Sequence, residues 1–190
     1  MGTLFDLSPV EEQFGEAAFE QLLHATTSVT LAGCFVPFPE LARAVFASRG
    51  LDADAALDLL SRLDPYPDVE PAFAALERAD ARIAVLTNGS AQNTRTLLER
   101  AGLAGRVEHV LTTEQAGAYK PDPAPYRLAA DELAPAHVTL VAAHAWDVLG
   151  AREAGLGAVL VDRAGGGWPF PPPEPATAPD LVGAAEIAVG

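Results

Sequence analysis

Residues 83–90 read Ile83-Ala84-Val85-Leu86-Thr87-Asn88-Gly89-Ser90. A short apolar, β-rich run stops at a polar turn, and Ser90 stands where a helix N-cap belongs. The same order of strand, turn and helix recurs downstream. Val107 to Thr112 is a second strand, and Asp122-Pro123 reads as cap and first helical residue of a helix reaching about Leu133. Val138-Thr139-Leu140-Val141 is a third strand. A helix from about Ala145 to Ala154 stops at Gly155, and Ala158-Val159-Leu160-Val161 is a fourth strand. Alternating short apolar strands and helices predict a parallel sheet with helices on both faces. Residues 163–179, rich in glycine and proline, read as a loop, and a last helix follows Asp180.

Upstream the pattern is helical. Segments near 9–32, 38–49 and 53–63 carry apolar residues at helical spacing, among them Phe14, Ala18, Leu22, Leu41, Val45 and Phe46. Gly33 and Gly50 sit where helix C-terminal glycines belong. Asp64-Pro65-Tyr66-Pro67-Asp68 is a turn, and Asp68 is placed to cap a helix from about Val69 to Ala79.

The 190 residues carry a formal charge of −14, with 49% hydrophobic residues. That charge argues against nucleic acid or an anionic membrane surface as a partner. It leaves room for a small anionic substrate in a local cationic pocket. Cys34 is the single cysteine, so no intramolecular disulfide framework exists. No apolar run approaches the ~18 residues of a membrane span, and the N-terminus lacks the features of a signal peptide. The expectation is a soluble, cytoplasmic protein.

Ligands of open parallel sheets bind beyond the strand C-termini. Thr87-Asn88-Gly89-Ser90 offers a hydroxyl, an amide and helix N-terminal N–H groups, which can hold an anion or simply form a capped turn. Lys120 in Tyr119-Lys120-Pro121-Asp122-Pro123 could neutralise a carboxylate there, or be a solvated surface lysine. His144 could transfer protons or make a polar contact. Asp147 could pair with Lys120 or cap its helix.

Taken in order, Gly2-Thr3-Leu4-Phe5-Asp6, Leu86-Thr87-Asn88-Gly89, Tyr119-Lys120-Pro121-Asp122 and His144-Ala145-Trp146-Asp147 with Gly150-Ala151 resemble the four motifs of the haloacid dehalogenase superfamily. The Tyr-Lys-Pro-Asp-Pro and Ala-Trp-Asp-x-x-Gly-Ala pieces resemble its metal-free 2-haloacid dehalogenase branch. The resemblance implies an α/β fold: a Rossmann-like parallel sheet with a small helical cap. It implies three parts: a remnant of the first motif at 1–8, a cap at 9–64 and the core at 65–190.

It also implies a reaction. A first-strand aspartate attacks the carbon bearing the halogen, and water then hydrolyses the resulting ester. By resemblance Thr3 helps position that nucleophile, and Thr87 and Asn88 hold the substrate carboxylate. Lys120 pairs with the nucleophile, Tyr126 lies near the site, and Asp147 orients Lys120 or the water. His144 stands where some relatives carry asparagine. No cofactor is implied. Ala143 occupies the first acidic position of the fourth motif, and an alanine cannot ligate the Mg²⁺ that phosphatases of this fold use. The small substrate would be a 2-haloacid or similar carboxylate. Relatives often dimerise through the cap, and an apolar stripe on 9–32 would serve a homodimer.

The chain departs from that pattern in two places. The family nucleophile lies three residues before the glycine matching Gly2, so the first strand is expected to be missing from these residues. It would run between the strands near 82–87 and 138–143, and about ten further N-terminal residues would supply it. As written, the chain is expected to be inactive. The alternatives are a catalytically dead binding protein and a phosphatase of the same fold. The family's halide-binding arginine falls near Phe19 or Glu20, neither of which is basic.

Overall fold

The computed structural model describes residues 2–134 and 137–190. Its elements alternate as the sequence predicts. The helices α1 (Ser8–Phe14), α2 (Glu16–Leu31), α3 (Phe38–Ser48) and α4 (Ala53–Leu60) come first. Then follow α5 (Val69–Arg78), β1 (Ala84–Thr87), α6 (Ala91–Arg100), β2 (His109–Thr112), α7 (Thr113–Ala116) and α8 (Pro123–Leu133). The chain closes with β3 (Thr139–Ala142), α9 (Ala145–Glu153), β4 (Gly157–Val161), β5 (Ala176–Ala178) and α10 (Leu181–Val189). The fold is α/β with parallel strands: β1 pairs with β2, and β3, β4 and β5 form a second ladder.

Local chemistry sets most of these boundaries. Ser90 accepts a hydrogen bond from Asn93 N, Asp122 from Ala124 N and Asp180 from Gly183 N, each satisfying a donor that a helix start leaves free. Gly15, at φ 86°, divides the segment read as one helix over 9–32 into α1 and α2.

Other expectations change as well. Part of the loop at 163–179 is the edge strand β5, paired with β4; its Ala-Thr-Ala is too short to show a period. The helix α7 was not expected, and a reciprocal Thr112–Gln115 capping box starts it. Asp68 makes no side-chain cap for α5. Its carboxylate instead takes the Arg163 fork at 2.9 and 3.0 Å and Leu181 N at 2.8 Å. Arg163 also donates to Thr3 O and lies over the Tyr66 ring, at 4.1 Å from its centroid. Four distant parts of the chain thus meet at one partly buried ion pair. Burial raises the Asp68 pKa, but the Arg163 and Leu181 hydrogen bonds outweigh it, and the net shift is downward. Asp68→Ala is expected to cost roughly 2–3 kcal/mol in urea unfolding. Because the folded pKa lies below the unfolded one, the loss should shrink as pH falls below ~4.

Apolar side chains gather in two main clusters. One joins α1, α5, α6, α10 and β4, through Val10, Val69, Phe73, Leu97, Val161 and Leu181. The other lies among the first helices, with Ala18, Leu22, Leu41, Val45, Phe46 and Ala56 buried together. The apolar stripe expected to be exposed on α2 is therefore largely consumed inside the helical block, where Ala18 and Leu22 are 0% exposed. Among described residues no helix is long and apolar enough to cross a membrane.

Candidate active site

The C-terminal ends of β1 and β3 meet at Lys120. Its Nζ lies 2.6 Å from Asp147 Oδ2 and 3.3 Å from Leu86 O, the penultimate carbonyl of β1. Asp147 comes from the first turn of α9, directly after β3. Its other oxygen, Oδ1, accepts from the Tyr126 hydroxyl at 2.7 Å. Lys120, Asp147 and Tyr126 are 7%, 4% and 0% exposed. A charge pair this deep persists only when its remaining hydrogen-bonding capacity is met, as the Leu86 carbonyl and Tyr126 hydroxyl do here. Burial, and then the Asp147 carboxylate, push the Tyr126 hydroxyl far above its ordinary pKa, so it stays protonated and donates.

The Thr87-Asn88 turn sits beside this cluster. Asn88 Oδ1 accepts from Lys120 N at 3.4 Å, and its amide N–H groups make no bond among the described residues. Thr87 is buried, and its Oγ1 accepts from Gly89 N at 3.0 Å. One of the donors expected for an anion is thereby spent within the turn, leaving the threonine O–H and the asparagine amide. Thr3 lies at the end of β3, where its Oγ1 accepts from Ala143 N at 3.1 Å.

His144 is half-buried, with its ring 5.2 Å from that of Trp146. Trp146 also lies under Lys120, Nζ being 5.9 Å from the ring centroid. Burial lowers the His144 pKa to about 4; the positive charge of the chain's N-terminus adds to this, Asp147 opposes it, and the Lys120 charge contributes least, in the same direction as burial. The imidazole is neutral at pH 7, suited to hydrogen bonding rather than to carrying positive charge. A folded pKa near 4 against about 6.5 unfolded means that the unfolded chain binds more protons across that window. Stability is expected to fall as pH drops from 6.5 to 4, and His144→Asn should flatten that slope in thermal melts.

The seven residues expected at the site, Thr3, Thr87, Asn88, Lys120, Tyr126, His144 and Asp147, therefore converge. All of them line one cavity of about 520 Å³, with Phe19, Leu23 and Phe38 of the helical block on its wall. Two contacts at the site have no counterpart in the sequence reading. Arg163 holds the Thr3 carbonyl, and its only sequence signal was its place just after the fourth strand. Gly2 packs on His144: at φ 74°, a Cβ there would lie 2.5 Å from Cε1 of the ring. Among the described residues no group of three or more His, Cys, Asp or Glu side chains could hold a metal ion.

A parallel α/β core thus carries a buried lysine–carboxylate pair and a threonine-asparagine turn at its C-terminal edge. The family model described as haloacid dehalogenase-like hydrolase matches residues 2–155, and the chain belongs to that family. An (S)-2-haloacid dehalogenase of Pseudomonas sp. (strain YL) is 33% identical over 123 residues, covering 61% of this chain and 53% of that protein. Phosphatase MT3486 of Mycobacterium tuberculosis is 37% identical over 124 residues, covering 62% and 56%. The chain spans about half the length of the curated relatives it matches. The crystal structure of the L-2-haloacid dehalogenase RSc1362 shares the fold, with TM-score 0.86 at 24% identity, covering 100% of this chain and 95% of that one.

Proposed function

We propose that this chain bears most of the site of a metal-free hydrolase acting on small 2-halocarboxylates. The observation that carries the reading is the buried Lys120–Asp147–Tyr126 cluster beside the Thr87-Asn88 turn. Thr87 and Asn88 hold the substrate carboxylate with their free O–H and N–H donors. Lys120 presents a fixed positive charge to the reacting carboxylate, and Asp147 and Tyr126 hold Lys120 in place. A strand aspartate attacks the carbon bearing the halogen, and halide leaves with the bonding electron pair. Water then adds to the ester carbonyl, releasing a 2-hydroxy acid, a proton and the free carboxylate. By resemblance that aspartate precedes Gly2 and is not among these residues. Residues 9–64 act as a cap over the site, and Phe19, Leu23 and Phe38 give its ceiling an apolar character that favours substrates with an apolar substituent.

The test is halide release from (S)-2-chloropropionate, with EDTA present. It compares the chain as given with a form carrying an apolar strand and an Asp-x-x ahead of Gly2. Activity in the extended form alone is expected. A second reading, a phosphatase, is favoured by the similarity to MT3486. Mg²⁺-dependent phosphate release without halide release would establish it. Neither activity, with 2-chloropropionate still bound, would identify a binding protein.

A further inference from the structure

We propose that Tyr119 is a positioning residue, through which the helical block of residues 9–64 grips the chain beside Lys120 and fixes where the lysine's charge stands. The tyrosine belongs to the third motif, yet it takes no part in the chemistry above. It comes from the loop between α7 and α8, but its side chain is buried in the cluster of the first helices, at 1% exposure. The other buried members of that cluster, Leu22, Val45 and Phe46 among them, all lie in α2, α3 and α4. The Tyr119 ring stacks on Phe35, with centroids 5.0 Å apart. Its hydroxyl donates to Val36 O at 2.8 Å, and its backbone N–H donates to Thr30 Oγ1 at 3.0 Å. The Thr30 hydroxyl in turn donates to Thr26 O at 2.9 Å, which ties the grip into the last turns of α2. Burial, and then Glu114, hold the Tyr119 hydroxyl above its ordinary pKa, so it remains a donor.

The next residue is held from the other side. Lys120 N donates to Asn88 Oδ1 at 3.4 Å, and Asp122 N donates to Tyr119 O at 3.0 Å, closing the turn into α8. Consecutive amides thus bond to the helical block and to the α/β core, and the Lys120 side chain starts from that junction. A lysine stem is long and flexible, so its ammonium keeps one place only if its backbone does. Asp147 and Leu86 O fix the Nζ end, at 2.6 and 3.3 Å. Tyr119 fixes the Cα end. Lys120 is also the only lysine of the chain, so no second ammonium stands in for a displaced one. A shift of the helical block against the core is thereby transmitted to the charge at the site. The consequence for the reaction rests on the hydrolase reading above; the grip on Lys120 does not.

The experiment uses Thr30→Val, which keeps the side-chain shape but removes the acceptor of Tyr119 N, and Thr30→Ser, which keeps the hydroxyl. On the chain as given, an amine-acylating reagent modifies Lys120 at a rate read from the peptide that carries it, apart from the N-terminal amine. Thr30→Val should raise that rate about ten-fold, because a buried N–H left without a partner loosens the segment. Tyr119→Phe should raise it less, and Thr30→Ser should restore the parent rate. Phe46→Leu, which loosens the same cluster at the Phe14 ring, is the control. Its rate should stay within about threefold of the parent. In the extended form, Thr30→Val should also move the acid limb of the kcat/KM profile for (S)-2-chloropropionate upward by about 0.5–1 pH unit, since the reacting carboxylate loses part of its cation. An unchanged labelling rate in Thr30→Val overturns the proposal. So does an equal rise in Phe46→Leu, which would make the contact ordinary packing, or a raised rate with the acid limb unmoved. If the extended form releases no halide, the hydrolase reading fails, and the labelling rates alone decide the grip.

Discussion

Lys120→Ala should abolish halide release by the extended form and cost about 3–5 kcal/mol of stability, because it strands a carboxylate rather than because it loses a contact. Asp147 is 4% exposed, and its Oδ2 has Lys120 Nζ as partner at 2.6 Å. Removing one member of a buried pair leaves a charge that neither water nor protein compensates. A whole domain is stable by only ~5–15 kcal/mol, so the loss is a large share. The double variant Lys120→Met with Asp147→Asn separates the two effects. Asparagine can still accept from the Tyr126 hydroxyl, methionine fills the lysine's volume, and no bare charge remains. Urea unfolding should recover more than half of the single variant's loss, while halide release by the extended form stays absent. If the double variant is as unstable as the single one, the pair is not acting through burial of charge.

Gly150→Ala should lower stability by about 2–3 kcal/mol, against the usual sign for such a change. Gly150 lies inside α9, where replacing glycine by alanine ordinarily stabilises by roughly 0.5–1 kcal/mol. Here a Cβ would stand 2.6 Å from Tyr126 Oη, 2.8 Å from Tyr126 Cε2 and 2.8 Å from Pro121 Cβ. Tyr126 cannot retreat cheaply, since it is fully buried and its hydroxyl is held by Asp147. Overpacking of this kind costs about 1–3 kcal/mol, and displacing Tyr126 also loosens the Asp147 carboxylate. Thermal melts should show a fall of several degrees. Tyr126→Phe in the same background should rescue only part of it, because the Pro121 and Cε2 contacts remain. An unchanged or raised Tm would contradict this account of the α8–α9 contact.

The α8–α9 approach also shows how far sequence reading reached. Gly150 and Ala151 stand in the fourth motif, yet nothing in that spacing marks Gly150 as the point where two helices touch at the tyrosine. Arg163 likewise carries no local signal of its role. Its partners Asp68, Thr3 and Tyr66 lie between 95 and 160 residues away, and only the folded chain sums those contacts. Asp68 looked like a helix cap because local rules favour aspartate there. The tertiary pull of a guanidinium and of the start of α10 outcompeted the local bond.

What the sequence determined by itself was the alternation of strands and helices, the caps at Ser90, Asp122 and Asp180, and the four motifs whose order marks the family. Those features are local: a period, a hydroxyl or a carboxylate beside free N–H groups, a glycine after a helix. What only the tertiary structure decided was the Tyr126 hydrogen bond to the Asp147 carboxylate, the burial of the α2 stripe within the helical block, the pairing of the edge strand β5 with β4, and the Arg163–Asp68 ion pair. These depend on which surfaces exclude water and which backbone edges find partners. Such choices are made among residues far apart in the chain and leave no periodic trace along it.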